Sequence, residues 1–284
     1  MIASAVTFTV MTMLIKFLGG DYPAAVQTFY RQLAGLIVML PMILPDVRGA
    51  FRTTRPDLLL FRSGAGIIGV ILAFYAYQEL PLADANALSF TRTLWLVPLA
   101  IFVLKEPVGA RRLTATIVGF FGTLLMLQPS AQAGLGWPVA AALFSSFLFA
   151  FTIAGMKVLT RDHSTLVLMA WSSGLGFVLS IPPALFVWRW PNAVDLGLLA
   201  AMGVLGTVTQ AMYIKGMSLG DAAVMAPLDY TRLIFAVAFG FIAFGEIPNA
   251  MTMLGALVII ASTVYITLRE SQLGRPKPPP ARDE

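Results

Sequence analysis

The chain has 284 residues, 58% of them hydrophobic and only 12% charged, with a formal net charge of +5; an ordinary soluble domain carries about 25% charged residues. A soluble fold of this length buries only about three quarters of the surface its unfolded chain exposes. A mean hydropathy of +0.82 therefore excludes a soluble enzyme, a nucleic-acid binder and a disordered scaffold, and leaves a chain that uses lipid as its solvent.

A helix needs about 20 mostly apolar residues to cross the hydrocarbon core. Ten such stretches follow one another, at 1–18, 25–44, 58–78, 82–104, 111–128, 136–157, 165–188, 195–215, 219–244 and 250–268. The gaps are short and carry the breakers Gly19-Gly20, Pro45, Pro81, Pro107, Pro129, Pro191, Gly220 and Pro248. The first stretch has no basic lead and no small-residue cleavage site, so it reads as a retained span. A span that starts at Met1 predicts a short leader ahead of it in the full reading frame. Beyond the last span, 271–284 is charged and proline-rich and is expected to be a disordered tail.

Basic residues orient a membrane protein. With the N-terminus on the cytoplasmic side, Arg48, Arg52, Arg55, Lys105, Arg111, Arg112, Lys157, Arg161, Lys215, Arg269, Arg275, Lys277 and Arg282 share one face. Only Lys16 and Arg189 fall on the other. Both termini are therefore expected in the cytoplasm, in a bacterial inner membrane. A miscounted span would scatter these charges.

The halves echo each other. Ser4, Phe8 and Lys16 recur as Ser145, Phe149 and Lys157; Gly66, Gly69 and Asp84 recur as Gly203, Gly206 and Asp221; Thr91, Arg92 and Glu106 recur as Thr231, Arg232 and Glu246. Three ordered matches at nearly one offset predict two repeats, 1–130 and 131–270. Each unit has five spans, an odd number, so the second copy enters the membrane from the opposite side. Two inverted five-helix repeats in an all-α integral membrane protein form a transporter architecture, with the solute site near the midplane.

At these residues the sequence resembles the drug/metabolite transporter superfamily in its ten-helix EamA-type branch. Ser4 and Lys16 of the first span, mirrored by Ser145 and Lys157, carry the resemblance. So do the paired segments LADANALSFTRTLWLVPLAIFVLKEP and LGDAAVMAPLDYTRLIFAVAFGFIAFGEIP. It covers the chain apart from the tail. It implies a central cavity lined by the first, third, fourth, sixth, eighth and ninth helices, with the second and seventh as gates and the fifth and tenth at the periphery. Proteins it is similar to export amino acids and related metabolites, and the aromatic set below suggests the YddG-type aromatic amino acid exporters.

An ionisable group within the membrane costs at least about 2.5–3.5 kcal/mol and asks for a reason. Arg92 and Arg232 are repeat mates near mid-span. Arg92 shares a helix face with Trp95 and could hold a carboxylate, or serve only to tie down a broken helix. Asp229, one turn before Arg232, is either its neutralising partner or a proton carrier. Arg31 is read as a polar patch near the outer surface and Arg62 as a snorkelling cation; neither is assigned to solute.

Candidate solute contacts are Tyr75, Tyr77 and Gln78 on the third span, Asn86, Arg92 and Trp95 on the fourth, Trp171 on the seventh, Gln210 and Tyr213 on the eighth, and Tyr230 on the ninth. Tyrosine and tryptophan also gather at membrane interfaces for reasons unrelated to solute. Pro98 and Pro227 are expected to kink the fourth and ninth helices.

The chain has no cysteine and no Walker A, HExxH or GxSxG motif, so no ATPase, metal, cofactor or catalytic set is expected. The single histidine, His163, is expected in a loop. The expected function is a secondary transporter that exports small amphipathic metabolites, aromatic or apolar amino acids first, by alternating access, with protons as a coupling ion if Asp229 carries them. The rivals are a sugar-phosphate or nucleotide exchanger of the same fold and, from another class, an intramembrane enzyme or sensor.

Overall fold

A computed structural model describes residues 2–102, 109–127, 136–159, 163, 165–218 and 231–274. Its long helices are α1 (Ile2–Phe17), α2 (Ala24–Ile43), α3 (Pro56–Glu79), α4 (Leu82–Ser89), α5 (Thr91–Phe102), α6 (Ala110–Leu127), α7 (Trp137–Leu159), α8 (Thr165–Phe186), α9 (Ala193–Ser218), α10 (Thr231–Phe244) and α11 (Ala250–Gly274). Helices α4 and α5 share one crossing, so the described residues hold ten. Seven segments are long and apolar enough to cross a membrane outright, and shorter apolar helices account for the fifth, ninth and tenth crossings. The outward faces are apolar: Ile117 and Phe121 on α6 and Ile234 and Phe241 on α10 are exposed, as lipid rather than water requires.

The packing has the symmetry of the repeat. The first crossing packs on the eighth as the sixth packs on the third, the second on the eighth as the seventh on the third, and the first on the ninth as the sixth on the fourth. The second pairs with the seventh and the fifth with the tenth. Exchanging each crossing for the one five places on maps these pairs onto one another, whereas the packing of the third crossing on the first and second has no such counterpart among the described residues. Close approach depends on small residues: a Cβ at Gly203 of α9 would lie 2.5 Å from the Ala34 Cβ of α2, which only glycine avoids.

The fourth crossing is interrupted at Phe90, about two turns before Pro98, and α5 continues through that proline. Proline chemistry is therefore not what divides this crossing. The freed backbone is satisfied by hydroxyls instead. Thr91 Oγ1 donates to the Leu88 carbonyl at 2.6 Å, Ser146 Oγ of α7 donates to the same oxygen at 3.1 Å, and Ser89 Oγ donates to the Asn86 carbonyl at 2.6 Å. A break within a membrane persists only when such partners exist. Pro227, the second expected kink, lies outside the described residues.

Each face of the bundle has its own loop contacts. On the face carrying Arg48, Arg52 and Arg55, Trp171 Nε1 donates to the Phe51 carbonyl at 3.2 Å and Thr53 hydrogen-bonds His163 at 2.8 Å. The opposite face is closed. Lys16 at the end of α1 donates to the Leu80 carbonyl at 2.6 Å and is ion-paired with Glu246, just past α10. Glu246 Oε2 also accepts the Leu82 amide at 2.8 Å, capping α4. Gln27 donates to the Ile15 and Tyr22 carbonyls, and Gln78 to Tyr22. Beneath these lies a buried apolar cluster that includes Ile15, Leu18, Val26, Phe74 and Leu82. Nearby, in the loop before α2, Tyr22 donates to Asp195 at 2.7 Å, and that bond first, then burial, raises its phenol pKa.

Candidate functional site

A cavity of three adjoining lobes occupies the middle of the bundle and its half toward the Arg48 face. The central lobe is about 340 Å³ and is lined by Phe8 and Met11 (α1), Arg31 (α2), Tyr77 (α3), Ser89 (α4), Arg92 (α5), Ser145 and Phe149 (α7), Gln210 (α9) and Arg232 (α10). A second lobe of about 200 Å³ adds Ser4, Thr209 and Tyr213. A third, about 480 Å³, runs between α2, α3, α7 and α8 past Gln32, Met39, Arg62 and Ser172. These sizes suit small molecules. No Asp or Glu lines a lobe among the described residues.

The cavity helices carry their polar groups in different ways. Arg232 is buried, its guanidinium 4.9 Å from the Phe8 ring centroid and 4.2 Å from that of Phe90, with Nη2 donating to Ser89 Oγ at 3.0 Å. Cation–π contacts of this kind are electrostatic and strengthen with desolvation, so this arginine clamps α10 and α1 to the break between α4 and α5. Arg92 lines the first two lobes and is half-buried. Thr209 Oγ1 donates to Thr7 Oγ1 at 2.8 Å, joining α9 to α1. Gln210 is exposed although it sits within the bundle, because it faces the lobes.

Of the residues singled out from the sequence, Tyr77, Arg92, Gln210, Tyr213 and Arg232 come together on the cavity wall. Others are placed elsewhere. Trp95 is turned into an aromatic wall, with ring centroids 4.8 Å from Phe120 and 5.5 Å from Phe147, an edge-to-face packing that an indole gains more from than a wet cavity offers. Gln78 is used up at the closed face. Asn86 is fully buried and donates to the Leu82 carbonyl at 2.8 Å, one turn back. Tyr75 packs against the apolar cluster near the closed face. Trp171 lies at the loop end of α8, against Phe51. Asp229 and Tyr230 lie outside the described residues.

Two arginines not assigned to solute from the sequence also meet the cavity. Arg31, two turns from the start of α2, lines all three lobes. Arg62 has protein partners: its Nη1 donates to Ser172 Oγ at 2.7 Å and its Nε to the Thr152 carbonyl at 3.3 Å, joining α3 to α7 and α8 beside the third lobe. The sequence signal for both was the cost of a guanidinium in a span, which demands partners or a cavity. Depth along the helix could not show this, because the lobes reach mid-span.

Comparison with known proteins places this architecture. The chain is 27% identical over 269 residues to an S-adenosylmethionine uptake transporter of Rickettsia prowazekii, covering 95% of this chain and 91% of that protein. It is 22% identical to a pseudopaline exporter of Pseudomonas aeruginosa, covering 94% of each. It is 26% identical to a riboflavin transporter of Brucella anthropi, covering 89% of this chain and 91% of that one. A solved crystal structure superposes with a TM-score of 0.62 at 18% identity, over 96% of this chain and 99% of the other, which establishes likeness of fold. The model of the EamA-like transporter family matches twice, at residues 1–128 and 136–268. A multi-pass bundle of paired repeats around a cavity, matched along nearly its whole length, is thus a member of the EamA-like transporter family.

Proposed function

We propose that this chain is a secondary transporter that moves small amphipathic metabolites, aromatic or apolar amino acids first among them, across the bacterial inner membrane by alternating access. The observation that carries the reading is the cavity wall. Phe8, Tyr77 and Phe149 offer aromatic surface, and Arg31 and Arg92 offer positive charge, which match the two ends of such a solute. The closed face opposite supports a carrier resting in one of its two states. The Arg48 face is cytoplasmic, because basic loops are retained inside; both termini then lie in the cytoplasm and the Lys16 face looks outward. Uncoupled, the carrier moves solute down its gradient, which is outward wherever the cytoplasmic pool is the larger; with Asp229 as a proton carrier, the proton gradient adds to that force. Relatives at similar distance include one protein named for uptake and one named for export, so direction is assigned here from gradients and not from likeness.

The test is flux. Full-length protein in sealed liposomes, without ATP, is expected to exchange labelled phenylalanine or tryptophan across the membrane. S-adenosylmethionine, riboflavin, a sugar phosphate and a nucleotide serve as competitors. No amino acid flux alongside clear flux of the phosphate compounds would move the assignment to an exchanger of phosphorylated solutes.

A further inference from the structure

We infer that Arg31 and Gln210 form a carboxylate-binding subsite at the junction of the three lobes. Among the described residues they are the two side chains that line every lobe, so a solute passing between lobes meets both. The Arg31 guanidinium is only partly satisfied. Its Nη1 donates to the Gln32 side-chain oxygen at 2.9 Å, a neutral amide, and its Nε is buried without an acceptor. That leaves the Nε–Nη2 edge, the planar fork that fits the two oxygens of a carboxylate. Arg232, by contrast, has its head stacked between two rings and acts as a clamp.

Helix α9 packs directly beside this edge. A Cβ at Gly206 would lie 3.2 Å from Arg31 Nε and 3.1 Å from Met11 Sδ, so glycine lets α9 sit against the guanidinium without displacing it. Gln210 is four residues on and therefore on the same helix face, and it lines the same three lobes as Arg31, which adds a neutral donor. Guanidinium and amide together make a seat for one oxyanion, with the aromatic wall of Phe8 and Tyr77 adjoining for the rest of the solute. The subsite deepens the transport reading by naming the group that the cavity recognises.

Full-length protein in detergent is titrated with 3-phenylpropanoate and with 3-phenylpropanamide, and binding is read from thermal stabilisation. The wild-type chain is expected to prefer the carboxylate by about tenfold or more, the margin between charged and neutral hydrogen bonding. Arg31→Gln should abolish the preference while leaving amide binding in place. Arg31→Lys should keep part of it, since a point charge lacks the fork. Gly206→Ala, which crowds Nε without touching the charge, should also lower it, and these two variants carry the comparison if Arg31→Gln does not fold. Equal binding of the two probes by the wild type, binding of neither, or a preference that survives in Arg31→Gln overturns the subsite. Intact carboxylate preference without phenylalanine flux would instead refute the substrate assignment and leave the subsite standing.

Discussion

Replacing Lys16 by methionine keeps the length of the side chain and removes its ammonium, which isolates the tie that closes the Lys16 face. The Lys16 and Glu246 side chains are 14% and 17% exposed. That is well below the exposure at which an ion pair contributes only about 0–1 kcal/mol, and short of full burial, where losing one partner costs about 3–5 kcal/mol. A figure of about 2 kcal/mol lies between these limits. Glu246 keeps its hydrogen bond from the Leu82 amide, so it is not stranded altogether. If the closed face opens in the other transport state, Lys16→Met shifts the balance toward that state by about 30-fold. The chain has no cysteine, so a single reporter can be placed at Ala142, a buried α7 residue lining the central lobe. With Ala142→Cys in sealed vesicles of known sidedness, a membrane-impermeant maleimide applied at the Lys16 face should react about 30-fold faster in the Lys16→Met background. An unchanged rate from that face, with labelling from the other face preserved, would refute the idea that this pair holds a gate.

Two further substitutions separate scaffold from cavity. Trp95→Ala removes an indole packed against Phe120 and Phe147 and should cost about 2–3 kcal/mol, near the lower end for aromatic truncation because the ring is half-buried, seen as a lower melting temperature with unchanged probe affinity. A loss of affinity at unchanged stability would return Trp95 to the cavity. Arg232→Gln gives up contacts with two aromatic rings and the bond to Ser89 and should also destabilise by about 2–3 kcal/mol, whereas a variant as stable as the wild type would show that the clamp holds nothing.

The order of the crossings and the paired halves were legible in the chain itself, because each depends on composition over about 20 residues. Which face of each helix looks inward was not. In a soluble protein the polar side of a helix marks the outside; here lipid is as apolar as the core, so Trp95 and Tyr75 read like cavity residues and Arg31 like a surface one. Only packing in three dimensions sent Trp95 into an aromatic wall, brought Arg31 to the junction of the lobes, and divided the fourth crossing at Phe90, where hydroxyls from two helices could satisfy the freed backbone. Such choices depend on neighbours remote along the chain, and no local pattern records them.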